Sequence, residues 1–184
     1  MNNEYANDPL DQLRAWLDRD LIALATASAD GAPSVRMVLL KEADERGFLF
    51  FTSYEGRKGR ELAENPRAAI LVHMPGRQIR VEGRVEKTPE AVSDVYWATR
   101  PRGSQISASV SNQSEPVESR EELERRFAEF DSANPGAIPR PAHWGGFRLI
   151  PDTYEFWEHE HNRLHNRIRY RRDGESWTVE RLQP

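Results

Sequence analysis

Residues 68–86 read AAILVHMPGRQIRVEGRVE. Ala68 to His73 and Gln78 to Glu86 are strand-forming runs with the turn Pro75-Gly76 between them, so the segment predicts a hairpin, the unit of an antiparallel sheet. Upstream, Leu21 to Ser28 and Ser34 to Lys41 predict strands around the turn Ala29-Asp30-Gly31. Gly47 to Thr52 predicts another after the polar turn Glu42 to Arg46. Asp8-Pro9 is a helix start, and Leu10, Leu13, Trp16 and Leu17 repeat behind it at helical spacing. Ser53 is placed to cap a short helix through Leu62, which Asn65-Pro66 stops.

Downstream, Thr88-Pro89 opens a helix with Ala91, Val92, Val95 and Tyr96 on one face, ended by Pro101. Residues 102–119 are polar and Ser-rich and predict a loop or short helical turn. Leu123, Phe127 and Phe130 mark a further helix, and Asn134 to Pro141 a stiff extended connection. Gly146 to Ile150, Tyr154 to Glu158, Asn166 to Arg171 and Trp177 to Leu182 return to strand, with a last hairpin turn at Arg172-Asp173-Gly174. About eight strands, with helices set between hairpins and not alternating one for one, predict a mainly β fold: an antiparallel barrel with appended helices. No repeat or linker divides the chain, so residues 1–184 are expected as a single domain with residues 1–20 as an N-terminal helical segment.

Composition narrows the function. The chain has 184 residues, of which 30% are charged and 38% hydrophobic, as in a well-solvated globular domain. Cysteine is absent, which excludes disulfides, thiolate metal sites and cysteine nucleophiles. The start MNNEYANDPLDQ has neither a basic nor an apolar leader region, and no apolar run nears the ~20 residues that span a bilayer. A cytoplasmic location without membrane contact is expected. A net charge of −4 argues against a generic nucleic-acid binder. Among 26 basic residues only Lys41, Lys58 and Lys87 are lysines.

Four constellations could carry chemistry. Arg36 and Lys41 bracket the apolar run Met37-Val38-Leu39-Leu40; their odd spacing puts them on opposite faces of a regular strand, and on these residues alone a solvated edge strand is the better account. Phe51 and Thr52 run into a helix start carrying Arg57 and Lys58, the hydroxyl, free amides and paired cations that suit a phosphomonoester. Tyr96, Arg100 and Ser104 cluster where Pro101 turns the chain: either a second phosphate pocket or a helix end whose arginines complement the dipole. Gln113-Ser114, Trp157 and the run Arg163-Leu164-His165-Asn166-Arg167 supply amides and charge for a polar heterocycle. His159 and His161 alternate, but without a supporting ligand signature no metal is expected. No Walker loop, G-x-G-x-x-G or G-x-S-x-G motif is present.

Together and in order, R-M-V-L-L-K, F-F-T-S-Y-E-G-R-K-G-R-E-L-A-E-N-P, R-Q-I-R-V-E-G, R-P-R-G-S-Q-I-S-A-S-V-S-N-Q-S, W-G-G-F-R-L, E-F-W…N-R-L-H-N-R and R-L-Q-P resemble the pyridoxamine/pyridoxine 5′-phosphate oxidase family over residues 8–184. The resemblance implies an FMN-binding split β-barrel acting as a homodimer, with each flavin between subunits. It implies cofactor contacts at Arg36, Met37, Val38, Leu39, Leu40, Lys41, Phe51, Thr52, Arg57, Lys58, Gln78, Gln113, Ser114, Trp157 and Arg167. Lys41, Tyr96, Arg100 and Ser104 would grip the phosphate of the substrate, with Arg163 and His165 over its ring as the catalytic pair. The implied reaction moves hydride from the substrate C4′ carbon to flavin N5, and dioxygen then reoxidises the flavin with release of hydrogen peroxide.

The chain departs from that pattern in four places. The motif usually read R-L-H-D-R has Asn166, the N-terminal arm that closes over substrate is nearly absent, and the connection before Leu21 and the turn at Met74-Pro75-Gly76 are short. These departures leave open a related flavin oxidase for another aromatic, of the dihydrophenazine kind, or a non-catalytic flavin or pyridoxal phosphate module. The retained R-P-R-G-S cluster speaks for a phosphorylated substrate.

Overall fold

The Asp8 carboxylate accepts from the Leu10 amide at 2.7 Å and so caps α1 (Pro9–Trp16), with Pro9 at the first position where its missing amide is harmless. The computed structural model describes residues 5–18 and 20–184. After α1 the chain runs β1 (Leu21–Ala27), β2 (Pro33–Leu39), β3 (Glu42–Asp44), β4 (Gly47–Ser53), α2 (Arg57–Glu64), β5 (Arg67–Met74) and β6 (Arg77–Lys87). Three helices follow, α3 (Glu90–Thr99), α4 (Arg102–Val110) and α5 (Arg120–Ala133). The chain closes with β7 (Trp144–Glu158), a 3-10 turn at His161–Arg163, β8 (Asn166–Asp173) and β9 (Ser176–Arg181).

Every strand pairing among the described residues is antiparallel. The nine strands form one sheet in the order β2-β1-β5-β6-β7-β4-β3, from which β8 and β9 branch at β7. That branch splits the barrel. One edge of β7 pairs with β6, while its other edge is divided: Trp144 to Leu149 pair with β4, and Thr153 to Glu158 with β8. Pro151, which has no amide to donate, lies in the gap, opposite Gly83 where the β6 register slips. The two strands expected at Gly146–Ile150 and Tyr154–Glu158 are therefore one, because the bulge absorbs the proline.

Alternation along the strands sets the core. Ile22 and Leu24, Ile70 and Val72, Ile79 and Val81, Tyr154 and Phe156, and Ile168 and Tyr170 all point to one buried face. Phe48 and Phe50 of β4 complete it, and Leu13 of α1 and Leu62 of α2 cover it. A smaller cluster of Trp97, Ile106, Ile138 and Trp144 holds α3 and α4 to the start of β7, and the Trp97 indole donates to the Ile138 carbonyl at 2.8 Å.

Local readings change where tertiary contacts decide. The polar segment at Glu42 is a short strand paired with β4, whose Asp44 carboxylate accepts from Arg148 at 2.9 Å. Residues 102–110, within the stretch expected as a loop or short helical turn, are the nine-residue helix α4, because Ile106 is buried and Gln105 donates to the Trp97 carbonyl at 2.8 Å. Ser53 is not the cap of α2. Its hydroxyl accepts from the Glu55 amide, and Gly56 holds the cap position with no side-chain bond. The buried side of α3 is Ser93 and Trp97, while Val95 is 70% exposed. No helix among the described residues is long and apolar enough to cross a membrane.

A Cβ at Gly83 would collide with the Ile150 backbone carbonyl at the bulge. Backbone cannot yield as a side-chain tip can, so Gly83→Ala should lower the unfolding free energy by about 1–3 kcal/mol, read as a fall in the urea midpoint. A midpoint equal to that of the unmodified chain would show that the slip at Gly83 is not constrained.

Candidate functional site

The end of β4 and the start of α2 form a cationic cradle. Lys58 Nζ lies 3.0 Å from Thr52 Oγ1 and 2.7 Å from Gln113 Oε1, and the Arg57 amide donates to Ser114 Oγ at 3.1 Å. Gln113 and Ser114 are thus brought onto a site whose other members lie more than fifty residues upstream. A Cβ at Gly56 would sit 2.5 Å from Gln113 Oε1, so the glycine lets the loop close. Lys58 makes no ion pair among the described residues. Burial and the neighbouring Arg36 charge push its pKa down to about 8, against the pull of Glu61.

Beneath the cradle Glu61 is 6% exposed. Its Oε2 accepts from the Ser34 hydroxyl at 2.6 Å, from the Thr26 hydroxyl and from Arg36 at 3.3 Å; its Oε1 accepts from Arg57 Nε at 2.8 Å. Burial alone would raise this carboxyl, but the bonds from Ser34, Thr26, Arg57 and Arg36 prevail and hold it at about 2.

The second cationic group adjoins the same cleft. Tyr96 stacks on Phe51 with ring centroids 4.1 Å apart, and Phe51 stacks on Trp144 at 5.6 Å. The Arg100 guanidinium lies 4.5 Å from the Trp144 ring and donates to the Ser104 carbonyl at 2.8 Å, while its buried Nε has no partner among the described residues. Burial lowers the Arg100 pKa, with Tyr96 opposing. Lys41 lies beyond the end of β2, free of strand alternation, with its ammonium 5.7 Å from the Tyr96 ring. A cleft of ≈ 440 Å³ is lined by Thr52, Gln113 and Ser114, the partners of Lys58 and Arg57, and by Phe51, Arg100 and Trp144.

A third cluster lies elsewhere, on the outer face of the sheet. Gln78, Trp157 and Arg167 are register neighbours across β6, β7 and β8 and line a cleft of ≈ 250 Å³ that shares no lining residue with the first. Glu155, 5% exposed, holds Arg167 at 2.7 Å and Arg80 at 2.5 Å. His165 packs 4.6 Å from Trp157 and 5.2 Å from His159, and its Nδ1 accepts from the Glu160 amide at 3.2 Å. A neutral imidazole bonded that way carries its proton on Nε2 and offers a donor there. Asn166 accepts from Arg181 at 2.6 Å and donates to the Glu160 carboxylate at 3.1 Å, a pairing of which aspartate is incapable. Asn162 and Arg163 both take left-handed backbone, φ 56° and 62°.

The expected site residues therefore fall into two groups at opposite ends of β7. Trp144 lies in the first cleft and Trp157 in the second, thirteen residues or roughly 40 Å of strand contour apart. Within Arg36–Lys41 the strand alternates. Arg36 is drawn inward to Glu61, Val38 is half-buried and Leu40 buried, whereas Met37 and Leu39 face outward. Met37 and Leu39 share that outer face with Leu21, Val35 and Leu71, an exposed apolar surface that reaches the Gln78 cleft. Sequence reasoning did not single out Glu61, Glu155 or Trp144. The i, i+4 spacing of Arg57 and Glu61 and the i, i+2 spacing of Glu155 and Trp157 were the available signals.

A family model described as pyridoxamine 5′-phosphate oxidase matches residues 10–133, and one described as the pyridoxine 5′-phosphate oxidase C-terminal dimerisation region matches residues 144–184. A relative from Rubrobacter xylanophilus, named pyridoxine/pyridoxamine 5′-phosphate oxidase, is 52% identical over 96% of this chain and 87% of its own length. One of the same name from Nostoc punctiforme is 50% identical over 96% and 89%. Among solved structures, PhzG from Burkholderia lata 383, in complex with tetrahydrophenazine-1-carboxylic acid, superposes with a TM-score of 0.91 at 35% identity, covering 99% of this chain and 95% of that one. A pyridoxamine 5′-phosphate oxidase-related, FMN binding protein from Nostoc punctiforme shares the fold, with a TM-score of 0.72 at 18% identity over 95% and 93% of the two chains.

Protonated Lys58 favours an anion in the cradle, and a bound anion raises its pKa in turn. Affinity for a phosphomonoester dianion such as FMN should therefore be full near pH 7 and fall as pH rises past about 8, until the bound form also deprotonates. Titration calorimetry at pH 7 and 9.5 measures this, and Lys58→Met should abolish the difference. Equal affinity at both values in the unmodified chain would separate Lys58 from the anion.

Proposed function

The chain belongs to the pyridoxamine 5′-phosphate oxidase family, and we propose that it oxidises pyridoxamine 5′-phosphate or pyridoxine 5′-phosphate to pyridoxal 5′-phosphate, with dioxygen as acceptor and hydrogen peroxide as product. It is an FMN-dependent oxidoreductase. The observation that carries the substrate reading is that Arg100, whose buried Nε has no partner among the described residues, lines the same cleft as Thr52, Gln113 and Ser114 of the cradle, which leaves one anion position for the phosphate of the cofactor and one for that of the substrate.

The cradle fits a phosphate. Lys58 is partly buried without an ion-pair partner among the described residues, and a dianion would supply the missing charge. Thr52, Arg57, Lys58, Gln113 and Ser114 would hold the FMN phosphate, and residues of Arg36–Lys41 together with Phe51 would border the flavin. Bound FMN supplies the electron acceptor for the substrate carbon and the path of those electrons to dioxygen. The orphaned Arg100 Nε, with Lys41, Tyr96 and Ser104, would take the substrate phosphate. His165, whose Nδ1 accepts from the Glu160 amide, would donate from Nε2 to the substrate ring, with Arg163 balancing ring charge. Remote phosphate binding then fixes the position of the reacting carbon.

One chain cannot bring both ends of β7 to one ligand. The proposed active unit is a homodimer in which the apolar outer faces meet, and Gln78, Trp157, Arg163, His165 and Arg167 of the partner subunit complete each site. The matched dimerisation region supports this arrangement. Sedimentation should find the flavin-loaded, active species as a dimer; an active monomer would remove the shared site.

The likeness to PhzG favours a second reading, oxidation of a reduced phenazine-type aromatic. The two readings offer the Arg100 group different anions, a phosphate in one and a ring carboxylate, as in tetrahydrophenazine-1-carboxylic acid, in the other, so turnover of phosphorylated against free substrates separates them. Arg100→Ala should raise KM for pyridoxamine 5′-phosphate tenfold or more, since a charged hydrogen bond is worth ~1.5–3 kcal/mol, with FMN content unchanged. Equal turnover of free and phosphorylated pyridoxamine, or turnover of neither beside that of a reduced phenazine, would sink the vitamin B6 reading.

A further inference from the structure

Glu61 takes no part in the chemistry above, yet it joins three elements beneath the cradle. Thr26 of β1, Ser34 and Arg36 of β2, and Arg57 of α2 all donate to it. Each of its oxygens is committed, and the side chain is 7% exposed. The Arg36 guanidinium is committed as well: Nη1 donates to the Leu24 carbonyl at 3.2 Å and to Thr26 Oγ1 at 2.5 Å, and Nη2 to Ser34 and Glu61. Arg57 uses only Nε on Glu61, and among the described residues neither terminal nitrogen of its guanidinium has a hydrogen-bond partner.

A carboxylate beside an anion site opposes the anion by Coulomb's law. If charge alone mattered, removing Glu61 would tighten phosphate binding. The geometry favours the other sign. Without the carboxylate, Arg36, Arg57 and Lys58 are three like charges in one place, and nothing draws Arg57 towards Arg36. We propose that Glu61 is a positioning residue for the flavin phosphate: it fixes Arg57 and, through Arg36, the β1–β2 hairpin against α2, so the cradle is formed before the ligand arrives. Its charge also reduces three cations to a net of two, matching a phosphate dianion. This rests on the reading that the cradle takes the phosphate of FMN.

The test compares two ligands that differ only in that phosphate. The full-length chain, freed of flavin by dialysis, is titrated with FMN and separately with riboflavin, following flavin fluorescence. In Glu61→Gln, FMN should bind at least tenfold more weakly while riboflavin affinity stays unchanged. Unchanged or tighter FMN binding overturns the proposal, because Glu61 would then act only as an opposing charge. Equal weakening of both ligands also overturns it, because Glu61 would then support the fold and not the cradle. Should Glu61→Gln fail to fold, Ser34→Ala removes one donor to the same oxygen. It should weaken FMN by roughly twofold to tenfold with riboflavin unaffected; no effect on FMN would again overturn the proposal. An unmodified chain that binds FMN no better than riboflavin defeats the cradle reading itself, an outcome distinct from failure of Glu61 alone.

Discussion

Hydrogen bonds along one edge of β7 pass from β4 to β8 at Pro151, where the missing amide leaves the ladder nothing to donate. A strand with its edge divided in this way can serve two sheet segments that diverge. The β4 half ends at Thr52 and Ser53, and α2 starts from there with Arg57 and Lys58. The β8 half carries Arg167 beside Trp157. Both parts of the proposed site are therefore fixed to one element, and the length of that element keeps them apart within a chain.

Charge is distributed differently at the two ends. Around Glu61 three cations crowd one carboxylate, and burial lowers the Lys58 pKa. Around Glu155 the pairing is closer to balance, with Arg80 and Arg167 on one buried carboxylate. An excess of positive charge at partly buried nitrogens is unfavourable until an anion arrives, which stabilises anion binding in the cradle. The balanced end has no such excess and presents amide, indole and a held guanidinium. That chemistry suits the edge of a heterocycle better than a phosphate.

Period-two alternation made the strands legible, and the mainly β antiparallel fold with them, because nearly all core contacts come from strand faces. Where sequence reading went astray, nonlocal packing had overridden local composition. The Ser-rich stretch after Pro101 has little helical periodicity, yet Ile106 is buried among Trp97, Ile138 and Trp144, with Ala108 and Val110 packed beside it. Pro151 reads as a break, and only the partner glycine on β6 makes it a bulge. The cradle was half legible. Thr52, Arg57 and Lys58 lie together in sequence, but nothing local shows that Gln113 folds back onto them across 61 residues or that Glu61 points inward. The division of the site between two ends of β7 was not legible from residue order at all, since Trp144 and Trp157 belong to one strand.

The scarcity of lysine gives the cradle a further physical meaning. Arginine stands at nearly every other basic position, and its guanidinium stays charged through any ordinary burial. At position 58 a compact ammonium fits between Thr52 Oγ1 and Gln113 Oε1, where a planar fork would need more room and more acceptors. Only lysine there can also lose its proton near pH 8, so the charge of the cradle responds to whether an anion is present. Arg57, held through Nε by Glu61, supplies the part of the charge that does not titrate. A guanidinium that does not titrate and an ammonium that does so near pH 8, on one helix turn, give the proposed anion site a charge that is nearly full at neutral pH and falls above about pH 8 unless an anion holds the proton on.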